Sequence, residues 1–280
     1  MAEYPAVGAG SPPAPTVFFL SDSTGITAET LGNTLLTQFP GQRLERRTIP
    51  FITTVEQARE VVALIDRVAA TGPDPIIFST AVGQDIRAVL SGSRGQFFDL
   101  FGTHIGQLEQ TLGAPANGKP GQAHGVGDAV RYQSRMAAVE YAIEHDDGQS
   151  LRALERAELI LIAPSRCGKT PTTMYLALQH GILAANFPLV DEDFDNLALP
   201  KPLLPFAGKC FGLTSQPVRL SQIRQERRPG SNYASLNQCT FELRNAEDMY
   251  RANDIPYVNS ASMSVEEISA TVLQRMQLHH

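Results

Sequence analysis

The chain has 280 residues, enough for one large or two ordinary domains. A hydrophobic fraction of 42%, a charged fraction of 19% and a formal charge of −6 describe a globular chain with no basic excess for a nucleic-acid backbone. No apolar run approaches the roughly 20 residues of a membrane span. The three cysteines, Cys167, Cys210 and Cys239, form no CxxC pair and fit a reducing cytoplasm.

Residues 1–15 are rich in Ala, Gly and Pro and lack the basic start and apolar centre of a signal peptide. They read as a disordered lead-in. Thr-Val-Phe-Phe-Leu over 16–20 predicts a buried strand, and Ser21-Asp22-Ser23-Thr24-Gly25 a polar turn into a helix over 26–39. Ligands of open α/β sheets bind at the carboxyl ends of strands, which makes Asp22 a candidate site residue. Ser and Asp are also natural helix caps, and both readings stand. A second strand is expected over 43–51. A helix follows, opened by Thr54 with Gln57 three residues on. Then come a third strand over 75–81 and helices over 83–92 and 97–112. This alternation predicts an α/β fold with mainly parallel sheets and flanking helices, its N-terminal α/β domain spanning residues 16–112.

Residues 113–127 form a loop with five glycines and two prolines, a length that marks a functional loop or a linker. His124 within it is a candidate for proton handling or simply an exposed loop histidine. A helix over 128–144 carries Tyr132, Met136, Val139 and Ile143 on one stripe and closes in His145-Asp146-Asp147-Gly148. Carboxylates at a helix C-terminus oppose the macrodipole. Asp147, and less so Asp146, therefore reads either as a ligand-binding group or as part of a turn. Residues 113–150 are taken as loop and connecting helix, and 151–280 as a second domain.

That domain is built around Ala163-Pro164-Ser165-Arg166-Cys167-Gly168-Lys169-Thr170. The segment lies between an apolar strand at 158–163 and a helix reaching 181, the setting a phosphate-binding P-loop requires. Backbone N–H groups and the helix N-terminus would cradle an anion, Lys169 would reach the outer phosphates, and the Thr170 hydroxyl would ligate Mg²⁺. The pattern asks for Gly where Ala163 stands, which costs energy if that position needs a positive φ. The competing reading is an ordinary strand-to-helix turn. A strand over 184–190 ends at Asp191, a candidate metal-side carboxylate, although many strands end in Asp. Beyond it come a proline-rich stretch over 197–205, a strand over 209–214 and a helix over 217–228. Arg224, Arg227 and Arg228 at its end are a solvated face or an anion or partner contact. A helical stretch over 231–253, a strand over 255–258 and a last helix opened by Ser264 and Glu267 complete the chain. No internal repeat is visible.

Several stretches together resemble one family. They are Ser21-Asp22-Ser23-Thr24-Gly25-Ile26-Thr27-Ala28-Glu29, His145-Asp146-Asp147-Gly148, Ser165-Arg166-Cys167-Gly168-Lys169-Thr170-Pro171-Thr172, Glu226-Arg227-Arg228, Tyr233-Ala234-Ser235-Leu236 and Ser264-Val265-Glu266-Glu267-Ile268. They resemble the bacterial regulatory proteins of phosphoenolpyruvate synthase and pyruvate, phosphate dikinase, in the family's order over about residues 16–277. The C-terminal half looks closer to the synthase regulators.

The resemblance implies a C-terminal P-loop kinase-like domain and two opposed activities. One is a serine/threonine kinase that uses ADP as phosphoryl donor, releases AMP and inactivates its target. The other uses orthophosphate to remove that phosphate, giving pyrophosphate. The family's nucleotide-binding stretch maps onto residues 163–170. Lys169 is expected to stabilise charge, Arg166 to clamp a phosphoryl oxygen, and Asp147 or Asp22 to orient the threonine hydroxyl. Mg²⁺ is the expected metal, and phosphoenolpyruvate synthase the expected protein substrate, with no nucleic acid and no membrane involved and a homodimer left open. Two other readings of the residues are an ATP-dependent small-molecule kinase and a non-catalytic nucleotide-sensing module.

Overall fold

A computed structural model describes residues 14–119 and 129–278. His124 and residues 1–13 of the expected lead-in lie outside them. The chain divides into two compact units, Met1–Gly127 and Asp128–His280.

In the first unit, β1 (Thr16–Leu20), β2 (Glu45–Ile49), β3 (Ile76–Ser79) and β4 (Gln96–Asp99) form a parallel sheet in the order β2-β1-β3-β4. The central strand β1 is buried throughout, and apolar from Val17 to Leu20, because both of its faces are covered. Phe18 and Leu20 pack with Ala58 and Ile65 of α2 (Val55–Thr71), whereas Val17 and Phe19 pack with Ala28 of α1 (Ile26–Leu36). Gly32 lets α1 lie close on the sheet, since a Cβ there would sit 2.5 Å from the Phe19 ring. Thr54 accepts from the Gln57 N–H and Gln57 reaches back to the Thr54 N–H, the capping box that opens α2. Helices α3 (Gln84–Leu90) and α4 (Gly102–Leu112) complete the unit. The stretch expected to be one helix over 97–112 is thus strand β4 followed by α4. Tertiary pairing with β3 outweighs local propensity in so short a strand.

The second unit repeats the plan. Strands β5 (Leu159–Pro164), β6 (Ala184–Leu189), β7 (Cys210–Thr214) and β8 (Tyr257–Asn259) are parallel in the order β6-β5-β7-β8. Leu159, Leu161 and Ala163 face one core and Ile160 and Ile162 the other. Around the sheet lie α5 (Ala129–Glu144), α6 (Lys169–Tyr175) with a π turn at Leu176–His180, α7 (Pro217–Arg227), α8 (Leu236–Ala252) and α9 (Val265–Met276). Two expectations change here. On α5, Tyr132 and Ile143 are exposed, and the buried residues are Ala138, Tyr141 and Ala142. Two of these are alanines, and Ala177 joins them in one cluster. Small residues at a close contact carry little hydrophobic periodicity. The stretch over 231–253 is split by Ser235, whose hydroxyl caps α8 through the Gln238 N–H.

In each unit the first strand sends the chain to one neighbour and then to the other side. The strand order therefore reverses beside β1 and beside β5, where ligands of open parallel sheets bind.

Candidate functional site

The loop after β5 begins at such a reversal. Arg166 has φ 73 and Gly168 φ 95. Glycine adopts this region freely, whereas arginine does so only under strain, which is common at functional sites. Left-handed residues alternating with ordinary ones turn successive N–H groups inward into an anion-binding nest. Ala163 is absent from the positive-φ positions and pairs with Pro188 inside the sheet. It belongs to the strand, so the steric cost foreseen for alanine does not arise.

The loop is pinned from below. Arg224 donates to the Ser165 carbonyl through Nη2 (3.0 Å) and Nε (3.3 Å), and Ser260 donates to the Cys167 carbonyl (2.9 Å). The hydroxyls of Tyr233 and Ser165 lie 3.0 Å apart. Arg224 is fully buried, paired with Glu242 at 2.6 Å, and its guanidinium covers the Tyr233 ring at 4.2 Å. It is neither a solvated face nor a free anion contact. Cys167 is buried, and burial pushes its thiol up to about 12, away from the reactive thiolate.

Lys169 is only 4% exposed. Its Nζ donates to the Ala163 carbonyl (3.2 Å) and lies 3.6 Å from the Asp147 carboxylate. Burial pulls its pKa down, and Asp147 opposes that shift. The Thr170 hydroxyl donates to Asp146 Oδ1 at 2.7 Å. The paired cation and hydroxyl of the loop thus face the paired carboxylates of the 145–148 turn. Asp147 adopts a left-handed conformation (φ 47, ψ 36), and its side chain is 58% exposed.

Two residues hold that turn in place. Asn186 donates to Asp146 through its amide and accepts the Asp147 N–H at 2.7 Å. His145 is buried against Tyr141, its ring nitrogens 2.8 Å from the Tyr141 carbonyl and 2.6 Å from the Arg152 carbonyl. Asn186 and Glu242 are not marked by any motif, and Tyr233 is marked only within the stretch Tyr233-Ala234-Ser235-Leu236. Asn186 did leave a signal, as a lone amide within the apolar run Ala184-Ala185-Asn186-Phe187.

Asp191, the candidate metal-side carboxylate, accepts the Gln238 amide at 2.8 Å. Asp146 is the carboxylate bonded to Thr170. Asp22 lies in the first unit, 5% exposed, and takes the Val82 N–H at 2.6 Å. It borders a cavity of about 600 Å³ at the carboxyl ends of β1 and β3.

The fold and loop define a class, an α/β protein with a Gly-Lys-Thr loop at a sheet reversal. The family described as kinase/pyrophosphorylase matches residues 17–273, and the chain belongs to it. A Bordetella parapertussis relative is 46% identical over 263 residues, 94% of this chain and 96% of its own. One from Pseudomonas aeruginosa is 49% identical over 259 residues (92% and 94%), and one from Ectopseudomonas mendocina 46% over 259 (92% and 95%). The names of all three contain the words phosphoenolpyruvate synthase regulatory protein. Among the described residues no helix is long and apolar enough to cross a membrane.

Proposed function

We propose that the chain regulates phosphoenolpyruvate synthase by reversible phosphoryl transfer at one anion cradle, the loop 163–170. In the inactivating direction a threonine Oγ of the synthase attacks the β-phosphorus of ADP. The α–β bridging oxygen leaves with AMP, and the hydroxyl proton passes to Asp147. In the reverse direction an oxygen of orthophosphate attacks the phosphothreonine phosphorus, the Oγ–phosphorus bond breaks, the threonine oxygen takes its proton back from Asp147, and pyrophosphate forms. Phosphoryl transfer needs chiefly positioning and charge stabilisation. The observation that carries the reading is Lys169 and Thr170 set directly against Asp147 and Asp146. Asp147 is favoured over Asp22 for the proton because it stands beside Lys169 and its side chain is open to a protein substrate.

Mg²⁺ takes one or two carboxylates together with phosphate oxygens and water. Among the described residues no group of three His, Cys, Asp or Glu forms a metal cage. Thr170 and Asp146 suit the looser requirement and would hold the ion, which would neutralise charge on the phosphates. The test is Lys169→Ala assayed with the synthase and β-labelled ADP, and separately with orthophosphate and phosphorylated synthase. Both activities should fall by about 10²–10³-fold. Loss of one with full retention of the other defeats the shared cradle, and label moving from ATP to a metabolite defeats the reading itself.

A further inference from the structure

A second concavity of about 350 Å³ opens beside the loop, with Ser165, Asp191, Tyr233 and Glu242 on its wall. We propose that it is the nucleoside subsite of the donor, with the ribose on Asp191 and the base against Tyr233. This rests on the reading above only in taking a nucleoside diphosphate as the ligand.

Topology is the first argument. The chain runs from β5 through an anion loop and α6 into the parallel neighbour β6, and an acidic residue follows directly. In dinucleotide-binding sheets the same succession puts a carboxylate about 20 residues beyond the loop, where it accepts the ribose hydroxyl protons. Asp191 occupies that place, two residues past Leu189 at the end of β6.

The lining chemistry is the second. Leu189 and Val190 form an apolar side, and Val190 is 48% exposed. Tyr233 supplies an aromatic ring, one part of which Arg224 already covers, and the Asn232 amide suits a base edge. Asp191 and Glu192 repel phosphate groups, which therefore belong at the loop, and the uncharged nucleoside belongs here. The volume, about 350 Å³, lies at the small-ligand end of the ~300–1,000 Å³ range for such pockets.

The subsite is also tied to the loop. Gln238 donates to both Asp191 and Glu242, Glu242 pairs with Arg224, and Arg224 holds the Ser165 carbonyl. Ribose and phosphate positions are thus joined by one continuous chain of hydrogen bonds.

The full-length protein is titrated with ADP, 2′,3′-dideoxy-ADP and pyrophosphate. Wild type should bind ADP about tenfold more tightly than the dideoxy compound, the worth of a hydrogen bond to a charged group. Asp191→Asn should lose about that tenfold for ADP, bind both nucleotides alike and keep its pyrophosphate affinity. Tyr233→Ala should weaken ADP but not pyrophosphate, and Tyr233→Phe, which keeps the ring, should retain ADP. Unchanged ADP affinity in Asp191→Asn and Tyr233→Ala overturns the proposal. So do equal losses for ADP and pyrophosphate, which mean loop damage, and a raised KM for the synthase with ADP binding intact, which means a peptide occupant. Label transfer from ADP by the wild type is measured in parallel. If ADP binds as described and no transfer occurs, the functional reading fails and the subsite stands.

Discussion

Lys169 carries its charge in a place that penalises charge. Burial depresses its pKa and Asp147 only partly restores it. Orthophosphate binding needs the protonated lysine, so affinity should fall as pH rises through a value below the ordinary lysine range. The bound anion favours the ammonium, so binding near that pH should take up part of a proton. Calorimetry in two buffers of different ionisation enthalpy measures this, and Lys169→Arg, always charged, should show no uptake. Zero uptake by the wild type would refute the depressed lysine. Arg224 offers a different test. Arg224→Met leaves Glu242 buried without its partner and should cost about 3–5 kcal/mol in denaturant unfolding. Adding Glu242→Leu should recover most of that stability but not phosphate affinity, because the Ser165 carbonyl stays unpinned. Lys169 and Thr170 were legible because their spacing is local. Glu242 and Asn186 were not, because each meets its partner only after strands far apart in sequence have paired.

Elements were legible where the signal is short-range. Both capping boxes, Thr54 with Gln57 and Ser264 with Glu267, form as their spacing predicts. The β4 strand was hidden because four residues with half-open faces acquire their conformation from β3. The meeting of β7 with α8 was equally silent. A Cβ on Gly212 would lie 2.6 Å from the Tyr250 ring, and that ring is fixed because its hydroxyl bonds the Ile162 carbonyl at 2.8 Å. Gly212→Ala should therefore lose about 1–3 kcal/mol by overpacking, read as a lower urea midpoint at constant slope. An unchanged midpoint would mean that α8 shifts freely on the sheet.

At the scale of the molecule, the two units share one strand order without sharing a recognisable sequence. That is why the repeat was invisible beforehand: order depends on which strands pair, and two unrelated apolar strands serve equally well at the centre. The order also has a consequence for synthesis. In each unit the central strand is made first and both of its neighbours later. At about 5–20 residues per second, the interval from Leu20 to Ile76 lasts on the order of 3–10 s. During it Val17-Phe18-Phe19-Leu20 has left the ribosome without its second partner, and Leu159–Pro164 later waits in the same way for β7. The most apolar segments of the nascent chain are thus those kept waiting, and it is during translation, before either sheet closes, that a chaperone has most to shield.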